Sequence, residues 1–279
     1  MKILGIGNAI IDVICKVNDD FISQHDLTKG NMKLTFDENE FKKLISNLKI
    51  EKTISGGSVA NSIVGLSQLG NKVGFIGKIS DDDFGQKYEI GLKKENVEYI
   101  YSKKKELLPT GTCLILITPD SERTMFTFLG TAGKINPNDI NASEVKKSEM
   151  TFLEGYLWDE GDPKKAFDKA IENSNKVAMS LSDKFCVDRH KQHFLELVKN
   201  RLDITFANEE EIMSLINAKN FDDVINFCKQ IKKLIVITRG QKGAISINDN
   251  EVNEVGIKKN LNIIDLTGAG DLFASGYLH

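Results

Sequence analysis

The residues best suited to chemistry stand together near the end of the sequence, in the run Asp265-Leu-Thr-Gly-Ala-Gly-Asp271. Two carboxylates bracket a stretch, Thr267 to Gly270, that has almost no side-chain bulk. Apolar residues lead into it, and Leu272 to Leu278 reads as the start of a helix. A helix start leaves several backbone N–H groups without partners and carries a partial charge of roughly +0.5. Gly268, Ala269 and Gly270 would let an anion approach those donors closely, as a cradle for a phosphate or an oxyanion. Asp271 stands where it could draw a proton from an attacking group. On local sequence alone the run reads equally well as a bare turn with an acid that favours the helix dipole.

Such a site needs elements to hold it, and the chain supplies them in alternation. Residues 2–17 read as strand, tight turn, strand, and Met32-Lys-Leu-Thr-Phe36 as a short strand. A helix follows, with Asp37 as its cap and Glu40 three residues on, as in a capping box. Gly56-Gly57 opens a second helix that Gly70 stops. Strand and helix then alternate through residues 72–97 and again from 151 to the end, with Asp162 capping one helix and Asn262–Thr267 as the last strand. Between them, Val97–Tyr101, Gly111–Thr118 and Arg123–Leu129 are strand-like runs without helices. Repeated strand–helix units imply a mostly parallel sheet covered on both faces. The helix-free pieces near 13–36 and 97–130 read as a small β excursion from one domain spanning residues 1–279. Phe126 and Phe128 alternate and so share one face of their strand, either over a ligand or against other side chains.

Composition excludes several classes. The formal net charge is −3, and its charge runs are short, so no nucleic-acid surface is suggested. No apolar run approaches the ~20 residues of a membrane span. Asp12 interrupts the apolar N-terminus, which reads as a first strand rather than a signal peptide. The four cysteines are scattered without a C-x-x-C pair, which fits a reducing cytoplasm. Three glycine motifs fail on inspection: Ile10 and Phe273 each stand where a dinucleotide fingerprint needs its third Gly, and Lys72 and Ile79 spoil a P-loop.

Five segments, in order along the chain, resemble the ribokinase/PfkB carbohydrate kinase family. The first-strand substrate motif is carried by Gly7-Asn-Ala-Ile-Ile-Asp12, the Gly-Gly signature by residues 55–70, the N-x-x-E motif by Asn208–Glu211, a T-x-G-x-x-G segment by Thr238–Gly243, and the C-terminal signature by Asp265–Phe273. The segment Glu122–Gly130 resembles adenosine-kinase-like members in particular. The resemblance implies a ribokinase-like α/β fold with an inserted β lid, and transfer of the γ-phosphoryl group of ATP to a sugar or nucleoside hydroxyl, adenosine-like nucleosides leading. Asp271 falls on the catalytic base, where the helix start is expected to keep it ionised, and Gly268, Ala269 and Gly270 on the anion hole. Asn8, Asp12, Gly56, Gly57 and Asn61 fall on substrate positions, for which turn chemistry is the alternative reading. Asn208 and Glu211 fall on the pair that organises Mg²⁺ through water, although Asn208 also reads as a helix cap. Thr238, Gly240, Gly243 and Thr267 fall on nucleotide-phosphate positions; a plain hairpin turn explains the first three equally well. Arg123 resembles an arginine that reaches the phosphates when the lid shuts, or is a surface arginine. Asp265 resembles a K⁺ site, with the cation requirement open.

Leu266 departs from the signature, where a Thr is usual. Family members also continue past it through helices that cover the sheet and line the adenine pocket, so the C-terminal helices and adenine contacts are expected to be missing from these 279 residues. Members either pair through lid strands as homodimers or remain monomeric. Two rival readings stand beside the kinase: a non-catalytic sugar- or nucleoside-binding regulator on the same fold, against which Asp271 and the N-x-x-E pair argue, and a nicotinamide-dependent oxidoreductase resting only on the broken G-x-G.

Overall fold

A computed structural model describes residues 2–159, 163–259 and 266–279. The most apolar short run near the N-terminus, Ile3–Ile6, is buried along its whole length and lies inside a sheet that has nine strands among the described residues. It pairs in parallel with Val73–Ile76 on one side and Met150–Glu154 on the other. Beyond Met150–Glu154 come Val177–Ser180, Ile204–Asn208 and Leu234–Thr238, all parallel. Ala244–Asn248 and Glu251–Val255 close that side as an antiparallel pair. Adjacent residues on one strand point to opposite faces. Accordingly Phe152, Ala178 and Val236 belong to one buried cluster, and their neighbours Leu153, Met179 and Ile237 to another. The sheet is thus covered on both faces, as the alternating pattern implies.

Five further strands among the described residues form a second sheet, joined to the large one through one of those clusters. Its order is Met32–Thr35, Arg123–Phe128, Gly111–Ile117, Ile10–Lys16, Ile50–Gly56. Its buried residues Ile11, Val13, Leu114, Leu116, Phe126 and Phe128 share a core with Phe75, Phe152 and Phe206 of the large sheet. Phe126 and Phe128 therefore pack on the face turned away from the cavity described below, Phe128 stacking on Phe41 at 5.1 Å.

The structure departs from the sequence pattern in particular places. Ile50–Gly56 is a strand where the pattern gives only a helix end and a turn. Glu98–Tyr99 pairs with Val73–Ile76 in the large sheet, not with the β excursion. Asp37 does cap the Glu38–Ile45 helix, but Glu40 makes no capping box: Lys33 and Thr35 hold its carboxylate instead. The cap read at Asp162 and most of the last strand, with Asp265, lie outside the described residues. Among the described residues no helix is long and apolar enough to cross a membrane.

Candidate active site

Four parallel strands of the large sheet end on residues that face one cavity. Glu154, Ser180, Asn208 and Thr238 are the last residues of their strands, and all four line it. Open α/β sheets bind ligands at the carboxyl ends of their strands, where loops and helix starts converge. The cavity, about 590 Å³, continues under the inner face of the five-stranded sheet. Asn8, Asp12, Gly57 and Asn61 line one part of it. Asn208, Glu211, Thr238 and Thr267–Asp271 line another. Gly56 sits behind this wall, against the Asp12 carboxylate. Gly240 and Gly243 do not line it; they form the turn between the antiparallel strands Leu234–Thr238 and Ala244–Asn248.

Asp271 lies in the first turn of the Ala269–Leu278 helix. Ser58 Oγ donates to its Oδ1 at 2.6 Å and Asn61 Nδ2 to its Oδ2 at 2.9 Å. Both donors come from the Ser58–Gln68 helix, and they sit three residues apart, on one face. Ser62 Oγ holds the Asp271 carbonyl at 3.0 Å, so the two helices are locked across this contact. Gly268, with a φ of 73°, turns the chain into the helix. The Ala269 amide donates to the Leu266 carbonyl and the Leu272 amide to Gly268. The amides of Gly270 and Asp271, between them, have no hydrogen-bond partner among the described residues. Nothing stands within 4 Å of the position a Cβ on Gly270 would take. Two bare donors and open space fit an oxyanion or phosphate. Of the cradle read from Gly268, Ala269 and Gly270, Ala269's amide is engaged, while Asp271's own amide is open beside Gly270's.

Glu154 is a site residue that the sequence pattern does not single out. It is 1% exposed, and its Oε1 accepts from the Asn8 amide at 3.3 Å and from Asn8 Nδ2 at 3.0 Å. Its Oε2 accepts from the Val59 amide at 3.0 Å, in the first turn of the helix that holds Asp271. The one available signal is an acid closing an otherwise apolar strand. Ser58, the second donor to Asp271, also escapes the sequence reading.

Asn208 and Glu211 close on each other. Asn208 accepts from the Glu211 amide, while its own amide and Nδ2 donate to the two Glu211 oxygens at 3.0 and 2.6 Å. The cap reading is therefore right, and it orients Glu211 at the cavity wall. Among the described residues no group of three or more His, Cys, Asp or Glu side chains could hold a metal ion directly. One oriented carboxylate suits Mg²⁺, which keeps most of its waters. Arg123, from the five-stranded sheet, donates from Nη1 to Thr267 Oγ1 at 3.1 Å, so it touches the Asp271 turn.

The model of pfkB family carbohydrate kinases matches residues 26–279. The chain belongs to that family. It is therefore an ATP-dependent phosphotransferase. An adenosine kinase from Sinorhizobium meliloti superposes with a TM-score of 0.88 at 33% identity, over 99% of this chain and 86% of that one. A probable sugar kinase from Rhizobium etli CFN 42 gives 0.87 at 34%, over 99% and 85%. Among curated relatives, adenosine kinase 2 of Arabidopsis thaliana is 25% identical over 99% of this chain and 86% of its own length. A 5-dehydro-2-deoxygluconokinase of Geobacillus kaustophilus is 23% identical over 90% and 79%.

For this kinase the electrostatics of the cavity are those of buried acids. Burial raises the Asp271 carboxyl above the ordinary carboxylate value, against the opposing bonds from Ser58 and Asn61. Burial likewise pushes Asp12, Glu154 and Glu211 each up to about 7. A carboxyl raised in the fold stabilises the protein below its unfolded value, and that contribution is lost as pH rises through the folded value. For Glu154, a rise from 4.5 to about 7 corresponds to about 3 kcal/mol. Carboxylates held low by lysines, such as Glu40 and Glu89, titrate below this window. The ligand-free protein is expected to melt several degrees lower at pH 8 than at pH 5.5, read by scanning calorimetry. A melting temperature that climbs across that interval would contradict the assignment.

Proposed function

We propose that this kinase phosphorylates a nucleoside hydroxyl, with adenosine or a close analogue as acceptor and ATP as donor. One observation carries the choice of acceptor. Asp12, Cys113, Thr127 and Leu34 stand in register across four neighbouring strands of the smaller sheet. All four line the cavity, so the wall runs from a carboxylate to an apolar end. Met125, Met32 and Leu129 extend that end. Strands lie about 4.8 Å apart, which makes the row roughly 14 Å long. A ribose engages the Asp12 end and a flat base covers the apolar remainder; a lone sugar would leave the apolar part bare. The likeness to an adenosine kinase supports the same reading. The likeness to sugar kinases supports a free sugar as the second.

In this reading Asp271 accepts the proton of the attacking hydroxyl. Ser58 and Asn61 fix its carboxylate but leave lone pairs free for that proton. The Gly270 and Asp271 amides face the charge on the transferred phosphoryl group, with Gly268 and Ala269 shaping the turn. Asn8, Asp12 and Asn61 hold acceptor hydroxyls, and Gly56-Gly57 brings backbone alongside. Thr238 and Thr267 line the donor side, and Gly240 and Gly243 shape the turn behind Thr238. Mg²⁺, when bound, neutralises phosphate charge; Glu211 would hold it through water. The five-stranded sheet acts as a lid that excludes water, and Arg123 moves with it from Thr267 toward the phosphates.

The test is coupled ATP turnover with Mg²⁺ across a panel of nucleosides and sugars. Adenosine is expected to exceed ribose and hexoses in kcat/KM by at least about 10², given several kcal/mol from a buried base. Turnover of sugars alone would sink the nucleoside reading. Tight binding without ATP consumption would favour the regulator reading instead.

A further inference from the structure

Asn8 is 1% exposed, and its Oδ1 is buried with no hydrogen-bond partner among the described residues. A buried unpaired acceptor costs about 1–3 kcal/mol, so it calls for a donor. Its other end is engaged: Nδ2 donates to Glu154 Oε1, which also accepts from the main-chain N–H of Asn8. In its ionised form the Glu154 carboxylate only accepts, and this bond then fixes which end of the Asn8 amide is left open. The same carboxylate receives the Val59 amide through Oε2. Gly7 marks how close the packing is, since a Cβ there would stand 2.5 Å from Glu154 Oε2.

We propose that Glu154 is a positioning residue that sets Asn8 as a pure acceptor on the cavity wall, so that the ligand group meeting Asn8 Oδ1 is a hydroxyl donating its hydrogen. The inference rests on the reading that a polyol enters this cavity. Glu154 acts through Asn8 and through the start of the Ser58–Gln68 helix, and it performs no proton transfer itself. The groups facing it are the Asp271 carboxylate and the Tyr88 and Tyr156 hydroxyls.

Glu154→Gln separates this from a merely structural role. Glutamine offers one acceptor oxygen where the carboxylate offers two, so Asn8 loses its fixed orientation. The probes are adenosine and its 2′-deoxy and 3′-deoxy analogues, with Kd read by titration calorimetry. In the unaltered protein one analogue is expected to bind about tenfold more weakly than adenosine. In Glu154→Gln that same difference should vanish, adenosine falling to the level of the analogue, while the other analogue keeps its ratio. Equal losses for all three ligands, or an unchanged preference, overturns the proposal. If the variant does not fold, the unaltered protein is compared at pH 6 and pH 8. The adenosine-to-analogue ratio should then grow with pH as Glu154 ionises, and a flat ratio overturns the proposal equally. Should adenosine not bind at all, the nucleoside reading fails on that ground alone, and D-ribose with 2-deoxy-D-ribose replaces the nucleosides in the same comparison.

Discussion

Asp271→Asn is expected to lower kcat by ~10²–10⁴, the usual worth of a general base, with adenosine binding held within a few-fold. The expectation is sharp because the contacts let the fold survive the change. Ser58 Oγ donates to Asp271 now, but a hydroxyl can also accept. An asparagine can place its Nδ2 toward Ser58 and its Oδ1 toward Asn61, keeping two hydrogen bonds. The Ser62 bond to the residue 271 carbonyl does not depend on the side chain. Only the ability to take a proton is lost. Steady-state kinetics beside a melting curve checks this. Full turnover by the variant would remove Asp271 from the role of base, and lost turnover together with a collapsed melting curve would make the residue structural.

The sequence carries the motifs but not the distances between them. Runs such as Ile3–Ile6 and Leu234–Thr238 are legible as strands because both of their faces are buried, leaving nothing polar to interrupt them. Ile50–Gly56 is not, because it is an edge strand with Glu51, Lys52 and Ile54 exposed and so no clean alternation. Asp271 is legible from its bare neighbours. Its partners are less so, because Ser58 and Asn61 are 213 and 210 residues away and only the packing of two helices joins them. Glu154 is invisible for the same reason: an acid at a strand end is ordinary until Asn8 and Val59 arrive from elsewhere. The graded wall from Asp12 to Leu34 depends on the register of four strands, which no local pattern encodes.

Gly57→Ala is expected to reduce kcat/KM by at least about 10² and to destabilise the protein by about 2–4 kcal/mol. Gly57 has a φ of 106°, where an L side chain is strained. A Cβ there would also stand 2.2 Å from the Asn8 carbonyl oxygen, a backbone atom that cannot rotate away. Relief requires the Asn8 loop and the helix start to separate. The Gly57 carbonyl accepts the Asn61 amide at 2.8 Å, so the shift passes to Asn61 and from there to Asp271. A displacement of about 1 Å between reacting groups is enough to cost about 10² in rate. Gly276→Ala supplies the contrast. It lies later in the Ala269–Leu278 helix with nothing within 4 Å of its added Cβ, and it should gain up to about 1 kcal/mol in stability with unchanged turnover. If Gly57→Ala melts and turns over like the unaltered protein, the close approach of Asn8 to this turn does not position the Ser58–Gln68 helix against Asp271.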